Sequence, residues 1–227
     1  MMIPLAAKLA RIRLICFDVD GTLIDDEGGA ANIWHSIHRL CGTPNDLNVD
    51  RFAAFISGRI TYSQWVDLDM GDWQQHGLTR SHILRVVRQL RLMPGTRRTL
   101  AELRRRGYKL GVISGSLDIG LETLFPDHPF DEVYTNKIFF DGEGKLARWE
   151  ATRFDSHGKP DALRDMARRH HVPLSRTAFV GDGENDIPLL GVAGCFVAFR
   201  PRSRELTEGA DVVLRENELP KLLDLFK

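Results

Sequence analysis

The sequence predicts an α/β fold, a largely parallel sheet sandwiched between helices and interrupted early by a helical insert. Three observations carry this. Short, unbroken apolar runs recur along the chain, the pattern of strands covered on both faces. Helical periodicities of about 10–15 residues separate those runs, which implies βαβ units and a parallel sheet. From 25 to 93 the strand pattern disappears and helical spacing takes over. A length of 227 residues with 43% hydrophobic and 27% charged side chains supports a substantial core. Basic and acidic residues number 31 each, so formal net charge is zero and bulk electrostatic binding of nucleic acid is excluded. No stretch reaches the ~20 apolar residues of a membrane span. The N-terminal ten residues lack the basic start and long apolar run of a secretory leader. The three cysteines, Cys16, Cys41 and Cys195, form no disulfide framework. A cytoplasmic chain with no nucleic-acid or membrane partner, monomeric or homodimeric, is expected.

In chain order, the first strand is predicted at 12–17, running through Leu14, Ile15, Cys16 and Phe17. Helical segments follow near 30–40, 49–56, 63–70 and 81–90, with Trp34, Phe52, Phe55 and Trp65 expected on their apolar faces. Pro94-Gly95 marks the return to the sheet. Residues 96–106 read as a helix with Leu100 and Leu103 on one face, a basic run behind, and Gly107 as the stop signal. A strand is predicted at 109–113. At 136–148, Ile138-Phe139-Phe140 and Lys145-Leu146-Ala147 flank Asp141-Gly142-Glu143-Gly144, the pattern of a β-hairpin. A helix at 160–171 places Leu163, Met166 and Ala167 at helical spacing, and strands at 178–180, 195–199 and 211–214 complete the chain. The result is a Rossmann-like core of 1–24 and 94–227 carrying an insert of 25–93.

In open sheets of this class, ligands bind beyond the carboxyl ends of the strands. The first strand ends in Asp18-Val19-Asp20-Gly21-Thr22-Leu23, the next in Ser114-Gly115-Ser116, and a later one in Gly181-Asp182-Gly183-Glu184-Asn185-Asp186; Lys159 opens the helix before that last strand. Singly, each is an ordinary turn or cap residue. Together, four carboxylates at one edge repel one another unless a cation sits among them. Oxygen donors without Cys or His suit a hard ion such as Mg²⁺. Ser114, nearby N–H groups and Lys159 could hold the remaining oxygens of a phosphate. These residues point to metal-assisted phosphoryl chemistry.

In this order, the four motifs resemble those of the haloacid dehalogenase-like (HAD) phosphatases, over nearly the whole core. Ser114-Gly115-Ser116-Leu117-Asp118-Ile119, Tyr134-Thr135-Asn136-Lys137 and the step from Lys159 to Asp182 are similar to the phosphoserine phosphatase group, whose helical cap the insert matches. The resemblance implies that Asp18 is the nucleophile, forming an aspartyl-phosphate, and that Asp20 is the acid and then the base, with a raised pKa. It also implies that Mg²⁺ is held by Asp18, Asp182 and the carbonyl of Asp20, with Asp186 positioning a metal-bound water. Ser114, Gly115, Lys159 and Asn185 would bind the phosphoryl group of a small phosphorylated metabolite. An aspartate at position 20 favours hydrolysis or phosphomutase chemistry. A non-enzymatic phospho-receiver is the competing class, but receivers need no insert.

The resemblance further implies a cap glutamate for the substrate ammonium, matched by Glu27, and a cap arginine for its carboxylate. Registering the cap on Gly58 and Tyr62 places Asp69 at the arginine's position. Two expectations follow. Either Asp67, Asp69 and Asp72 form a solvated helix face and Arg59, or Arg80, takes the carboxylate, or an acidic cap selects a cationic or polyhydroxylated leaving group such as an amino alcohol phosphate.

Overall fold

The first strand, β1 (Leu14–Phe17), is apolar at every position because both its faces are covered. Ile15 and Phe17 enter one layer of the core, and Leu14 and Cys16 the other. The computed structural model describes residues 4–26, 32–154 and 156–227, beginning with a short helix α1 (Leu5–Leu9). β1 pairs in parallel with β4 (Lys109–Leu117) on one side and β7 (Thr177–Gly181) on the other. With β5 (Glu132–Phe140), β6 (Leu146–Glu150), β8 (Cys195–Phe199) and β9 (Val212–Leu214), these make a seven-stranded sheet. Its order is β6-β5-β4-β1-β7-β8-β9, parallel except at the edge strand β6.

One face is covered by α6 (Thr96–Arg105) and α10 (Leu222–Leu225), through Leu100, Leu103 and Leu222. The other is covered by α8 (Lys159–Arg169) and α9 (Arg204–Gly209), through Leu163, Met166 and Leu206. At Gly111 of β4 a Cβ would collide with Met166 Sδ, so the absent side chain sets how closely α8 approaches the sheet.

Between β2 (Ile24–Asp25) and β3 (Arg91–Leu92), which pair antiparallel, lie α2 (Ile33–Cys41), α3 (Asn45–Ile56), α4 (Tyr62–Gln75) and α5 (Arg80–Val87). Asn32 caps α2, and capping boxes at Thr61/Gln64 and Thr79/His82 start α4 and α5. Trp73, Met70, Ile37 and Ile83 pack together against Leu117, Ile119, Ile138 and Leu146. The insert therefore rests on α7 (Asp118–Leu124) and on the β5–β6 hairpin.

Three details differ from the sequence reading. β5 begins at Glu132 as a parallel partner of β4, where no strand was expected. Its first residues form no apolar run: Val133 is exposed, and the Tyr134 hydroxyl donates to Glu132 and Asp165. β4 continues past Ile113 through Leu117 with a register shift, so Ser114 and Gly115 lie within the strand. α3 buries no residue, and Phe52, expected on an apolar face, is 49% exposed; its ring leans on Trp65, centroids 5.8 Å apart, while the helix borders a cavity.

Candidate active site

The chain leaves β1 to build β4, β5 and β6 on one side, then returns to build β7, β8 and β9 on the other. The carboxyl ends of β1, β4 and β7 thus flank a topological switch point, where a crevice forms. Asp18 follows β1 directly, its N–H donating to Val180 O at 3.0 Å, and is buried. Gly21 then turns the chain at φ +88°, and a Cβ there would run into Asp182 and Arg202. Thr22 Oγ1 donates to Asp182 Oδ1 at 2.8 Å.

Lys159 is completely buried at the start of α8. Its Nζ donates to Asp18 Oδ1 at 2.9 Å and Asp186 Oδ1 at 2.7 Å. Asp186 is fixed from its other oxygen by the N–H groups of Asp182 and Gly183, at 3.0 and 3.1 Å. Ser114 Oγ accepts the Ser116 N–H at 3.2 Å, which leaves its own hydrogen to donate. The Gly115 carbonyl accepts from Trp34 Nε1 at 2.9 Å and Asn136 Nδ2 at 2.6 Å, tying the insert to β4.

One oxygen from each of Asp18, Asp182 and Asp186 lies within 4.8 Å of the others, and all three residues are buried. This all-oxygen donor set fits a hard divalent cation. Burial and the charge of Asp18 hold Asp182 well above the usual carboxylate range, against the pull of Arg202. Burial, opposed by Lys159 and reinforced by Asp18, pushes Asp186 up to about 6. Burial and then the charge of Asp18 push Asp20 up to about 7. Asp20 Oδ1 is buried and finds no hydrogen-bond partner among the described residues.

A cavity of about 460 Å³ opens over this cluster, bordered by Asp18, Asp20, Ser114, Gly115 and Asn185 below and by α2, α3 and α4 above. The structure thus brings Asp18, Asp20, Ser114, Gly115, Lys159, Asp182, Asn185 and Asp186 to one sheet edge. Glu27 lies outside the described residues. His157 is exposed and His170 pairs with Glu132 at 3.2 Å. Cys16, Cys41 and Cys195 are free thiols, and burial pushes Cys195 up to about 12.

Two features escaped the sequence reading. Arg202 reaches in from the loop after β8: Nε donates to Asp182 Oδ2 at 2.6 Å, Nη1 to Asp26 Oδ2 at 2.9 Å, and Nη2 lies 3.5 Å from the Asp20 carbonyl oxygen. In sequence it belongs to Arg200-Pro201-Arg202-Ser203-Arg204, which looks like a basic surface loop; only its place after a strand's carboxyl end could have marked it. The expected solvated face of α4 is also overturned at Asp69, which is 2% exposed. Arg51 of α3 donates to Asp69 and Asp72, both at 2.6 Å, and His38 Nε2 lies 3.3 Å from Asp69. Arg59 and Arg80 are exposed and do not border the cavity.

The chain matches the haloacid dehalogenase-like hydrolases over residues 12–194 and belongs to that family. Within it, the chain is phosphoserine phosphatase-like. It is 34% identical over 214 residues to the phosphoserine phosphatase SerB2 of Mycobacterium tuberculosis, covering 94% of this chain and 50% of that one. Against the phosphoserine phosphatase of Methanocaldococcus jannaschii it is 26% identical, covering 95% and 98%. A solved phosphoserine phosphatase bearing a phospho-aspartyl intermediate analogue superposes with a TM-score of 0.75 at 26% identity, covering 95% of this chain and 99% of that chain. A substrate-bound phosphoserine phosphatase complex gives 0.76 at 25%, again covering 95% and 99%. The chain spans about half the length of the first two curated relatives it matches. No helix among the described residues is long and apolar enough to cross a membrane.

Proposed function

We propose that the chain hydrolyses a small phosphomonoester, with Mg²⁺ as cofactor, through a phosphate transiently carried on Asp18. The observation that carries this reading is the buried cluster of Asp18, Lys159, Asp182 and Asp186, opening onto a cavity that also holds Asp20. Residues 25–93 act as a cap over a core of 1–24 and 94–227, choosing the leaving group and keeping bulk water from the reacting centre.

Asp18 attacks phosphorus in line with the ester oxygen, and Lys159 offsets the charge that gathers as its carboxylate meets the phosphoryl group. Ser114 Oγ–H and the Gly115 backbone bind phosphoryl oxygens, and Asn185 helps orient them. Asp20, protonated below about pH 7, gives its proton to the departing alkoxide. Now a carboxylate, it takes a proton from the water that attacks the aspartyl-phosphate, which restores Asp18 and releases phosphate. The Asp18 and Asp182 side chains and the Asp20 carbonyl, with Asp186 behind them, would hold Mg²⁺, which would supply positive charge against the phosphoryl oxygens. Thr22 orients Asp182.

The test is hydrolysis of p-nitrophenyl phosphate with and without Mg²⁺. The wild type should turn it over only with the metal, and Asp18→Asn should be inactive while retaining its circular dichroism spectrum. Equal activity in the variant removes Asp18 as nucleophile.

A further inference from the structure

We propose that the leaving group carries an ammonium and no carboxylate, so that the substrate class is the phosphate ester of a small amino alcohol. This rests on the phosphatase reading of the same cavity and narrows it. Above the reacting centre the cavity is walled by Trp34 of α2, Phe52 of α3, and Tyr62 and Trp65 of α4. The Tyr62 and Trp65 rings stand at 85° with centroids 6.2 Å apart, and Phe52 meets Trp65 at 59°, so the rings form a corner rather than a flat stack. Aromatic walls attract an alkylammonium through their π faces while tolerating its methylene stem.

Acidic groups complete the wall. Asp69 borders the cavity on α4, and Asp26 does so beside the core. Asp69 accepts from Arg51 on Oδ1, and its Oδ2 faces His38 Nε2. Because His38 Nδ1 accepts the Trp73 indole hydrogen at 3.1 Å, the ring hydrogen sits on Nε2, which faces Asp69 Oδ2 at 3.3 Å. A carboxylate accepts about four hydrogen bonds, so Asp69 retains capacity for a substrate N–H.

A substrate carboxylate finds the opposite. Arg202, the guanidinium on the cavity wall, is engaged by Asp182 and Asp26; Lys159 is engaged by Asp18 and Asp186. Arg51 stands behind Asp69, held by two aspartates with a side chain only 10% exposed. Residues 27–31 read Glu-Gly-Gly-Ala-Ala and add no lysine or arginine. Entering this cavity, a carboxylate would lose water beside Asp26 and Asp69, and every lysine or arginine described along it already has carboxylate partners. Such a loss without a compensating partner is costly.

Steady-state kinetics on the intact protein with Mg²⁺ test this, using phosphoethanolamine, phosphocholine, phosphoserine and propyl phosphate, with p-nitrophenyl phosphate as the generic ester. The expected result is a kcat/KM for one of the amino alcohol esters at least ~10-fold above those for phosphoserine and propyl phosphate, about 1.4 kcal/mol. Asp69→Asn, or Trp65→Leu should the first variant not fold, should shrink the preference over propyl phosphate several-fold. Phosphoserine turned over as well as or better than the amino alcohol esters overturns the proposal but leaves the phosphatase reading standing. Propyl phosphate matching them removes the ammonium preference. Failure to hydrolyse p-nitrophenyl phosphate as well as the four esters sinks both readings.

Discussion

Replacing Asp20 by Asn isolates the proton transfer, because the amide keeps the shape of the carboxyl group and cannot deliver its proton. Burial and the charge of Asp18 raise the Asp20 carboxyl to about 7, and one of its oxygens lies buried without a partner among the described residues. At pH 6 about nine-tenths of the molecules carry the proton, and at pH 9 about one in a hundred do. For an alkyl phosphate, whose alkoxide leaves only with a proton, kcat/KM should therefore fall about tenfold per pH unit above 7. Asp20→Asn should lower kcat/KM for that ester by ~10²–10⁴. For p-nitrophenyl phosphate, whose phenolate leaves unaided, the loss should be far smaller. The comparison is made in kcat/KM because that quantity stops at phosphorylation of Asp18, before Asp20 acts as base. Stopped assays over pH 5.5–9.5 with both esters read it out. Equal losses on the two esters, or an alkaline limb that survives in the variant, would refute the assignment of Asp20 as the acid.

Lys159→Met leaves the buried carboxylates of Asp18 and Asp186 without their shared cation; urea melts at pH 8 should show a loss of about 3–5 kcal/mol, partly recovered by Mg²⁺. Arg202→Gln removes a cation that competes for Asp182 and borders the Asp20 carbonyl, so calorimetry should show Mg²⁺ binding roughly tenfold tighter than in the wild type. Asp20, Asp182 and Asp186 all have raised pKa values in the folded chain, so between pH ~4 and ~7 the native state holds protons that the unfolded state has released. The metal-free protein should lose stability as pH rises through that window. Thermal melts should show a falling midpoint, with Mg²⁺ restoring it at pH 8.

The sheet and the residues at its edge were legible because the same physics writes both. Strands buried on two faces must be unbroken apolar runs, as in Cys195–Phe199, and groups that meet at a switch point must follow such runs directly, as Asp18 and Asp182 do. The opening of β5 was illegible because it is only partly covered, with Glu132 and Tyr134 half-buried and Val133 exposed, so no unbroken apolar run marks it. Arg202 and Arg51 were hidden for a different reason. Each finds its aspartates through packing between separate elements, and neither residue type nor spacing separates such an arginine from the solvated ones around it. The acidic run of α4 was misleading in the same way at Asp69 and Asp72, which α3 covers with Arg51, while Asp67 does stay at the surface.

The claim on which the rest depends is that Asp18 carries the phosphate. Acid quench of the wild type during turnover of p-nitrophenyl phosphate, followed by peptide mass spectrometry, tests it directly. Phosphate should be found on the peptide containing Asp18, should accumulate further in Asp20→Asn, and should be missing from Asp18→Asn together with all turnover. Turnover that persists in Asp18→Asn, or wild-type phosphate trapped on another side chain, would contradict the account.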